Sequence, residues 1–180
     1  MRAILFLLLS IILFNCSSQK LKRGPKIIDG RKVKEHIVQE NLIVTVPRNW
    51  RRIFNHGSIG FSPLGSMGYY KNGIKIFYSN KNDTSYPSFD EYVKNIIQRM
   101  QEGRNIKMEN QSVLLDTTQY GKTYTYKFSV KTGIAEEVTI NKFFEQNENY
   151  YHFYNRSYRQ YFKKYSSDSE FIFNNLKFKD

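Results

Sequence analysis

The chain has 180 residues, with 28 lysines and arginines against 16 aspartates and glutamates, so its formal net charge is +12. This length predicts one domain, since domains usually contain about 100–200 residues, and the 16% of aromatic residues argues against a disordered chain. The single cysteine excludes an internal disulfide and a multi-cysteine zinc site. The three histidines, at positions 36, 56 and 152, are scattered, so we expect no metal site and no cofactor.

The N-terminus has the pattern of an export signal. Arg2 is followed by an apolar run over residues 3–14 that only Ser10 interrupts. A membrane-spanning helix needs about 20 apolar residues, so this run is too short to span and is typical of a signal peptide. The only cysteine, Cys16, comes directly after this run and is followed by polar residues.

The tetrad Leu13-Phe14-Asn15-Cys16 resembles the lipobox of bacterial lipoproteins. The resemblance implies that residues 1–15 are a signal peptide that is removed, and that Cys16 carries fatty acyl chains such as palmitate. An ordinary secretory signal with an incidental cysteine is the alternative. Ser17 differs from the aspartate of inner-membrane retention signals, and no acidic cluster follows. The resemblance therefore favours an outer-membrane anchor facing the periplasm, with the cell surface and the inner membrane left open.

Residues 16–35 are predicted to be a flexible basic tether. The segment 19–26 has several cations and no acidic residue, and Gly24-Pro25 disfavours regular structure. Beside an anchor these cations could contact anionic lipid, at about 1 kcal/mol for each charge near the surface. The alternative is a solvated spacer.

One domain is predicted from residue 36 to residue 180. Alternating apolar residues predict strands at 40–46, 57–61 and 74–79, with a loop at 65–73. Pro47 is predicted to end the first of these strands, and residues 80–87 are predicted to form turns.

A helix beginning at Phe89 is the best-supported element. Ser88 and Glu91 form a capping box, in which the serine accepts from the third amide. Apolar residues then recur at helical spacing up to Met100, which predicts one buried stripe. Gly103 is predicted to end the helix in the left-handed conformation.

Four strands are predicted after this helix, at 107–115, 122–130, 134–144 and 150–157. In the second of them Tyr124, Tyr126, Phe128 and Val130 alternate with polar residues and should share a face. In the third, Ile134 is predicted to share one side of the strand with Val138, Ile140 and Phe144. A second capping signature over residues 167–170 predicts a short helix that begins there, and the chain closes near residues 176–178.

The order of these elements resembles the PsbP-like fold. The resemblance rests on five structural motifs: Val46-Pro47-Arg48-Asn49-Trp50, Ser88-x-x-Glu91-Tyr92, Tyr120-Gly121-Lys122, Tyr150-Tyr151 and Leu176-Lys177-Phe178. It implies an α+β fold, an α/β/α sandwich around a central antiparallel sheet in a single domain. It also implies binding or assembly rather than catalysis, because the family has no shared catalytic motif.

The residues themselves contain no familiar catalytic constellation, so we predict no catalytic residue and no enzyme activity. Glu136 and Glu137 are adjacent on a predicted strand and point to opposite faces, which excludes an acid/base couple. One stretch, 154–165, combines cations with aromatic rings. Its candidate partner-binding residues are Tyr154, Arg156, Tyr158, Arg159, Lys163 and Lys164. The alternative is that its rings pack on the sheet while its cations reach water.

The sequence thus predicts a non-enzymatic, membrane-anchored binding module for an envelope protein or an anionic envelope polymer. It would use the sheet or the segments 62–73 and 154–165. The export signal argues against nucleic acid as a partner. Two alternatives remain open: a hydrolase or transferase on envelope glycans or lipids, with a pocket around His152 or Asp116, and a small-ligand or lipid carrier with a cavity between the first helix and the sheet.

Overall fold

The structure, a computed structural model, describes residues 26–39, 41–55, 58–65, 72–103 and 107–179. The predicted signal peptide and the first half of the predicted tether, with Cys16, lie outside the described residues, as does His56. The described elements are β1 (Ile27–Ile28), β2 (Arg31–Gln39), β3 (Leu42–Pro47), β4 (Trp50–Asn55), β5 (Ser58–Pro63), β6 (Asn72–Asn80), helix α1 (Phe89–Glu102), β7 (Met108–Thr118), β8 (Gly121–Thr132), β9 (Ala135–Gln146), β10 (Asn149–Tyr158), helix α2 (Arg159–Asn174) and β11 (Leu176–Phe178).

These strands form two antiparallel sheets. The larger sheet has seven strands in the order β4-β5-β6-β10-β9-β8-β7, and the smaller has four in the order β1-β2-β3-β11. Strands β7 to β10 are consecutive neighbours joined by short turns, whereas β6 pairs with β10 across α1 and the meander. The larger sheet thereby brings residues 72–80 beside residues 149–158, which are far apart in the chain.

Apolar residues are buried on both faces of the larger sheet. On one face α1 packs through Phe89, Tyr92 and Val93 against the aromatic residues of β8, β9 and β10. On the opposite face lie α2 and the smaller sheet, which share a core with β5, β6, β9 and β10. The predicted α+β sandwich with a central antiparallel sheet is confirmed.

Helix α1 begins as its sequence predicts. The Ser88 hydroxyl accepts a hydrogen bond from the Glu91 amide at 3.3 Å, which satisfies one of the first-turn donors. The predicted end is wrong in its conformation: Gly103 has φ −74° and lies in the right-handed helical region. Its amide donates to the Arg99 carbonyl at 2.9 Å, so the last turn closes with ordinary helical geometry and requires no left-handed residue.

The predicted tether includes strands β1 and β2, which begin at Ile27, so this part of the prediction is wrong. Asp29 and Gly30 have φ of 47° and 72°, the positive values of a two-residue hairpin turn. Strand β2 then pairs with β3, and Val33 is buried in the core. The described lysines of this segment, Lys26, Lys32 and Lys34, are exposed, which is compatible both with a strand and with the solvated spacer that the composition predicted.

Two further predictions are corrected. Helix α2 begins at Arg159, eight residues before the predicted start, so residues 167–170 lie in its middle. There Asp168 accepts from the Trp50 indole Nε1 at 2.9 Å and pairs with Arg31, so it joins α2 to β2 and β4 and caps nothing.

Ile134 lies at the β8–β9 turn and is fully exposed, because Gly133 with φ 60° turns the chain there. Strand β4 was not predicted at all.

Candidate functional site

A cleft of about 800 Å³ opens where three segments meet. One wall is the start of α2, from Tyr158 to Tyr165, and a second is the β8–β9 turn with residues 134–136. Gly65 and Asn72, which flank the loop between β5 and β6, complete its lining. The cleft therefore combines parts of the two segments, 62–73 and 154–165, that the sequence predicts for partner binding.

The junction between β10 and α2 holds these segments together. Ser157, the penultimate residue of β10, donates from its hydroxyl to the Asn72 side-chain oxygen at 2.6 Å, and both residues are buried. Tyr158 follows in an extended conformation, with φ −62° and ψ 143°, and acts as the N-cap of α2. The chain turns into the helix at this point, so the first turn of α2 faces the cleft.

Tyrosines give the cleft an aromatic wall. The rings of Tyr161 and Tyr165 lie 6.3 Å apart, one helical turn from each other, and Tyr165 also makes an edge contact with Trp50 at 6.3 Å. Because Trp50 is buried, it holds Tyr165 in place. Tyr161 is 40% exposed, so its ring is accessible to a ligand. Lys164 lies over the Tyr165 ring, with 5.2 Å from Nζ to the ring centroid.

The charges at the start of α2 are partly balanced. Arg159 donates from Nε to the Glu136 carboxylate at 2.8 Å and from Nη2 to its other oxygen. This ion pair lowers the pKa of Glu136 and raises the pKa of Arg159. Tyr158 makes no side-chain capping bond, and the first turn of α2 holds no acidic residue. No side chain of the first turn therefore offsets the positive end of the helix dipole. Together with Lys164, this leaves the wall of α2 cationic.

The six predicted partner-binding residues do not all meet. Tyr158, Arg159 and Lys164 line the cleft, and Lys163 is exposed on the same helix. Tyr154 is buried beside His152 on the α1 face of the sheet, where their rings meet edge to face at 6.0 Å. Arg156 is half-buried and pairs with Glu137. A binding role for each of them stays a prediction.

Three cleft residues lie outside both predicted segments: Ile134, Ala135 and Glu136. Ile134 and Ala135 lie where the β8–β9 turn meets β9, and Glu136 stands out in the sequence only through its neighbour Glu137. The prediction that Glu136 and Glu137 point apart agrees with the structure, since they pair with Arg159 and Arg156 respectively. Only the antiparallel register of β9 and β10 brings these cations and carboxylates together.

The residues considered for a catalytic pocket lie apart from the cleft and from each other. His152 is buried between the rings of Phe77 and Phe143, at 5.3 and 4.5 Å between centroids. Burial lowers the pKa of His152 to about 3, which makes it a very weak base. Asp116 is exposed on β7, where its carboxylate accepts from the Thr117 amide at 2.7 Å.

No protein-family model matches the chain, and no curated protein sequence matches it. Similar solved structures include cyanobacterial PsbP (CyanoP) from Synechocystis sp. PCC 6803, with a TM-score of 0.58 and 8% identity over 82% of this chain and 92% of that one. The chain has a PsbP-like fold. LpqN of Mycobacterium tuberculosis, described as involved in cell envelope biogenesis, has a TM-score of 0.54 and 9% identity over 87% of this chain and 99% of that one.

A third similar structure is PA94 of Pseudomonas aeruginosa, a protein of unknown function and putative regulator. Its TM-score is 0.51, with 8% identity over 79% of this chain and 94% of that one. The TM-scores of 0.51–0.58 show a shared fold, and identities of 8–9% carry no functional residue across. None of the helices in the described ranges is long and apolar enough to cross a membrane.

Proposed function

We propose that this chain is a lipid-anchored, non-enzymatic binding module that holds an anionic partner in the bacterial envelope. The observation that carries the proposal is the cleft at the start of α2, where exposed tyrosine, lysine and uncapped helix amides converge. The similarity to LpqN, described as involved in cell envelope biogenesis, is compatible with it at the level of fold.

The chemistry of the cleft suits a partner that carries phosphate or carboxylate groups beside apolar or sugar rings. Lys164 and the first turn of α2 attract anions, and Arg159 can exchange one hydrogen bond with Glu136 for one with a ligand. Tyr161 offers a ring face, and the fully exposed Ile134 offers an apolar contact at the rim. The net charge of +12 raises the encounter rate with any polyanion.

Anchoring through Cys16 supports this role because it confines the module to a membrane surface. Each buried methylene contributes about 0.8 kcal/mol, and one chain of myristoyl length binds only marginally, so stable anchoring requires several chains. Mass spectrometry of the mature N-terminus in membrane extracts tests the anchor. We expect a chain that begins at Cys16 and carries acyl groups. A free thiol on Cys16, or a chain that retains Met1, would contradict the anchor.

The cleft is tested by binding of the full chain to lipopolysaccharide and to phosphatidylglycerol vesicles at several salt concentrations. The double variant Arg159→Gln/Lys164→Gln should bind at least about tenfold more weakly, since charge-assisted contacts are worth about 1.5–3 kcal/mol each. Lys32→Gln/Lys94→Gln is the matched control: it removes the same charge from exposed sites outside the cleft lining, and Lys94 pairs with Glu91 at 3.7 Å. Equal losses in both variants would show that binding follows net charge alone and would overturn the proposal.

A further inference from the structure

Strand β7 is the end strand of the larger sheet, and among the described strands it pairs with β8 alone. It is 11 residues long, and three consecutive apolar residues at its centre are exposed: Val113 by 58%, Leu114 by 60% and Leu115 by 53%. Soluble proteins usually protect an edge strand with short length, proline or charge at its centre, because its free amides and carbonyls recruit other strands. The centre of β7 lacks these protections.

The three apolar side chains divide between the two faces of the sheet. Val113 lies opposite Tyr126 and Leu115 opposite Tyr124, so both point to the face that α1 covers. There a groove of about 510 Å³ runs between α1 and β7, lined in part by Val93, Ile97 and Val113. Leu114 lies opposite Thr125 and points to the other face. A strand added to β7 would therefore find apolar contacts on both faces.

We propose that β7 pairs antiparallel with β7 of a second copy of this chain, with Leu114 facing Leu114 across a two-fold axis. This register places Val113 of each copy opposite Leu115 of the other. The four side chains then fill the space between the two α1 helices, where the grooves merge. All three apolar residues of each copy meet an apolar partner, and the unpaired edge disappears.

Neighbouring symmetric registers satisfy the same residues less well. If Val113 faced Val113, Leu114 would face Ser112 and Leu115 would face Gln111. If Leu115 faced Leu115, Leu114 would face the Asp116 carboxylate. Opposite residues in an antiparallel pair must share a face of the sheet. Moving the two-fold axis by one residue shifts the partner of every residue by two positions, so these are the neighbouring registers that the geometry permits. The register centred on Leu114 is therefore the one that sequence and sheet geometry favour.

The charges of the strand fit the same register. Asp116 would face Ser112 of the second copy, and Ser112 lies opposite Lys127 within its own chain. Asp116 and Lys127 of the second copy then lie two strands apart, about 10 Å between Cα atoms, with a small serine between them. An extended lysine side chain covers that distance. Since β7 contains Glu109 and Asp116 and no cation, its edge also avoids the strongest repulsion between two chains of net charge +12.

A disulfide across the two-fold axis gives the sharpest test. In the purified full chain carrying Cys16→Ser, kept in mild detergent, Leu114→Cys becomes the only thiol. Opposite Cα atoms in an antiparallel pair lie about 4.5–5.5 Å apart, within the range that a disulfide spans. We expect oxidised dimers to form at least about tenfold faster than for Ile37→Cys, a matched control that is 62% exposed on β2. Equal rates would overturn the proposal.

Sedimentation velocity supplies an independent readout on the Cys16→Ser chain. We expect a concentration-dependent dimer that Leu114→Lys abolishes and Ile37→Lys retains, with circular dichroism confirming that both variants are folded. Dimerisation should strengthen as salt rises, because salt screens the repulsion between like-charged copies, whereas polyanion binding in the cleft should weaken. A monomer up to about 100 μM, or equal dimerisation of both lysine variants, would overturn the proposal.

Discussion

His152 is a buried polar residue with a structural role in the sheet. Its Nε2 lies 2.9 Å from the Asn141 side-chain oxygen, and Asn141 in turn donates to the Tyr126 carbonyl at 3.1 Å. Since Asn141 uses its amide nitrogen there, its oxygen is the acceptor and His152 carries the hydrogen on Nε2. A neutral imidazole satisfies this buried pair, whereas a protonated one would need a second acceptor.

The lowered pKa of His152 predicts a loss of stability in mild acid. The unfolded chain binds a proton near pH 6.5, but the folded chain binds it only near pH 3, so the free energy of unfolding falls as pH decreases between these values. The slope approaches 1.4 kcal/mol per pH unit, or about 2 kcal/mol between pH 6.5 and pH 5. Urea unfolding of His152→Gln across this range should show a flatter slope than the parent chain.

His36→Gln is the control for this measurement. Burial also lowers the pKa of His36, but this residue is only partly buried, so its variant should flatten the slope less. If the parent chain and His152→Gln keep parallel slopes, His152 is not the group that titrates.

At the scale of elements, α1 is a locally encoded helix that depends on its first turn. Ser88 caps it, and Asp90 and Glu91 place negative charge near the positive end of its dipole. Asp90 also binds Lys122 and Tyr124 of β8 by hydrogen bonds, so the start of α1 is attached to the sheet. Helix α2 differs, because its N-cap Tyr158 provides no capping side-chain bond.

Ser88→Ala should therefore lower the free energy of unfolding by about 1 kcal/mol, the usual cost of losing a side-chain N-cap. Ser166→Ala is the control. Ser166 lies inside α2, where its hydroxyl only contacts the Lys163 carbonyl at 3.4 Å, and alanine is the better helix former there. Denaturant unfolding that gives equal values for both serine variants would show that the Ser88 cap contributes nothing.

At the scale of the whole molecule, Tyr120 joins the meander to the C-terminal segment. Its hydroxyl lies 2.6 Å from the Phe173 carbonyl oxygen and 3.1 Å from that of Leu176, and its ring stacks on Phe144 at 4.9 Å. Burial raises the pKa of Tyr120 to about 12, so the phenol stays protonated and donates at physiological pH. The β7–β8 turn is thereby attached to the end of α2 and to β11.

Tyr120→Phe should lower the free energy of unfolding by about 1–3 kcal/mol, because it leaves buried carbonyl groups without their donor. We expect near-ultraviolet and far-ultraviolet circular dichroism to report one shared transition, since both cores lie on the same sheet. Tyr161→Phe, at an exposed residue of α2, should change stability by less than about 0.5 kcal/mol. Two separate transitions in the parent chain would contradict this coupling.

Local patterns in the sequence determined a large part of the fold. The capping box and helical periodicity predicted α1, and alternation predicted β8, because both signals act within one element and need no partner. Three features were not predicted, because each lacks a clear local signal in the sequence. The β1–β2 hairpin had its Asp29-Gly30 turn hidden in a basic segment, β4 has no clean alternation, and the start of α2 has no capping residue.

The cleft and the exposed edge were decided only by tertiary structure. Ser157 and Asn72 are separated by 85 positions, and they meet because β6 pairs with β10 across the meander. In the sequence, Val113, Leu114 and Leu115 are an apolar run at the end of a predicted strand. They are exposed because β7 falls at the end of the sheet, a position that depends on strand order. Periodicity specifies which side chains share a face, whereas strand order and register specify what that face meets.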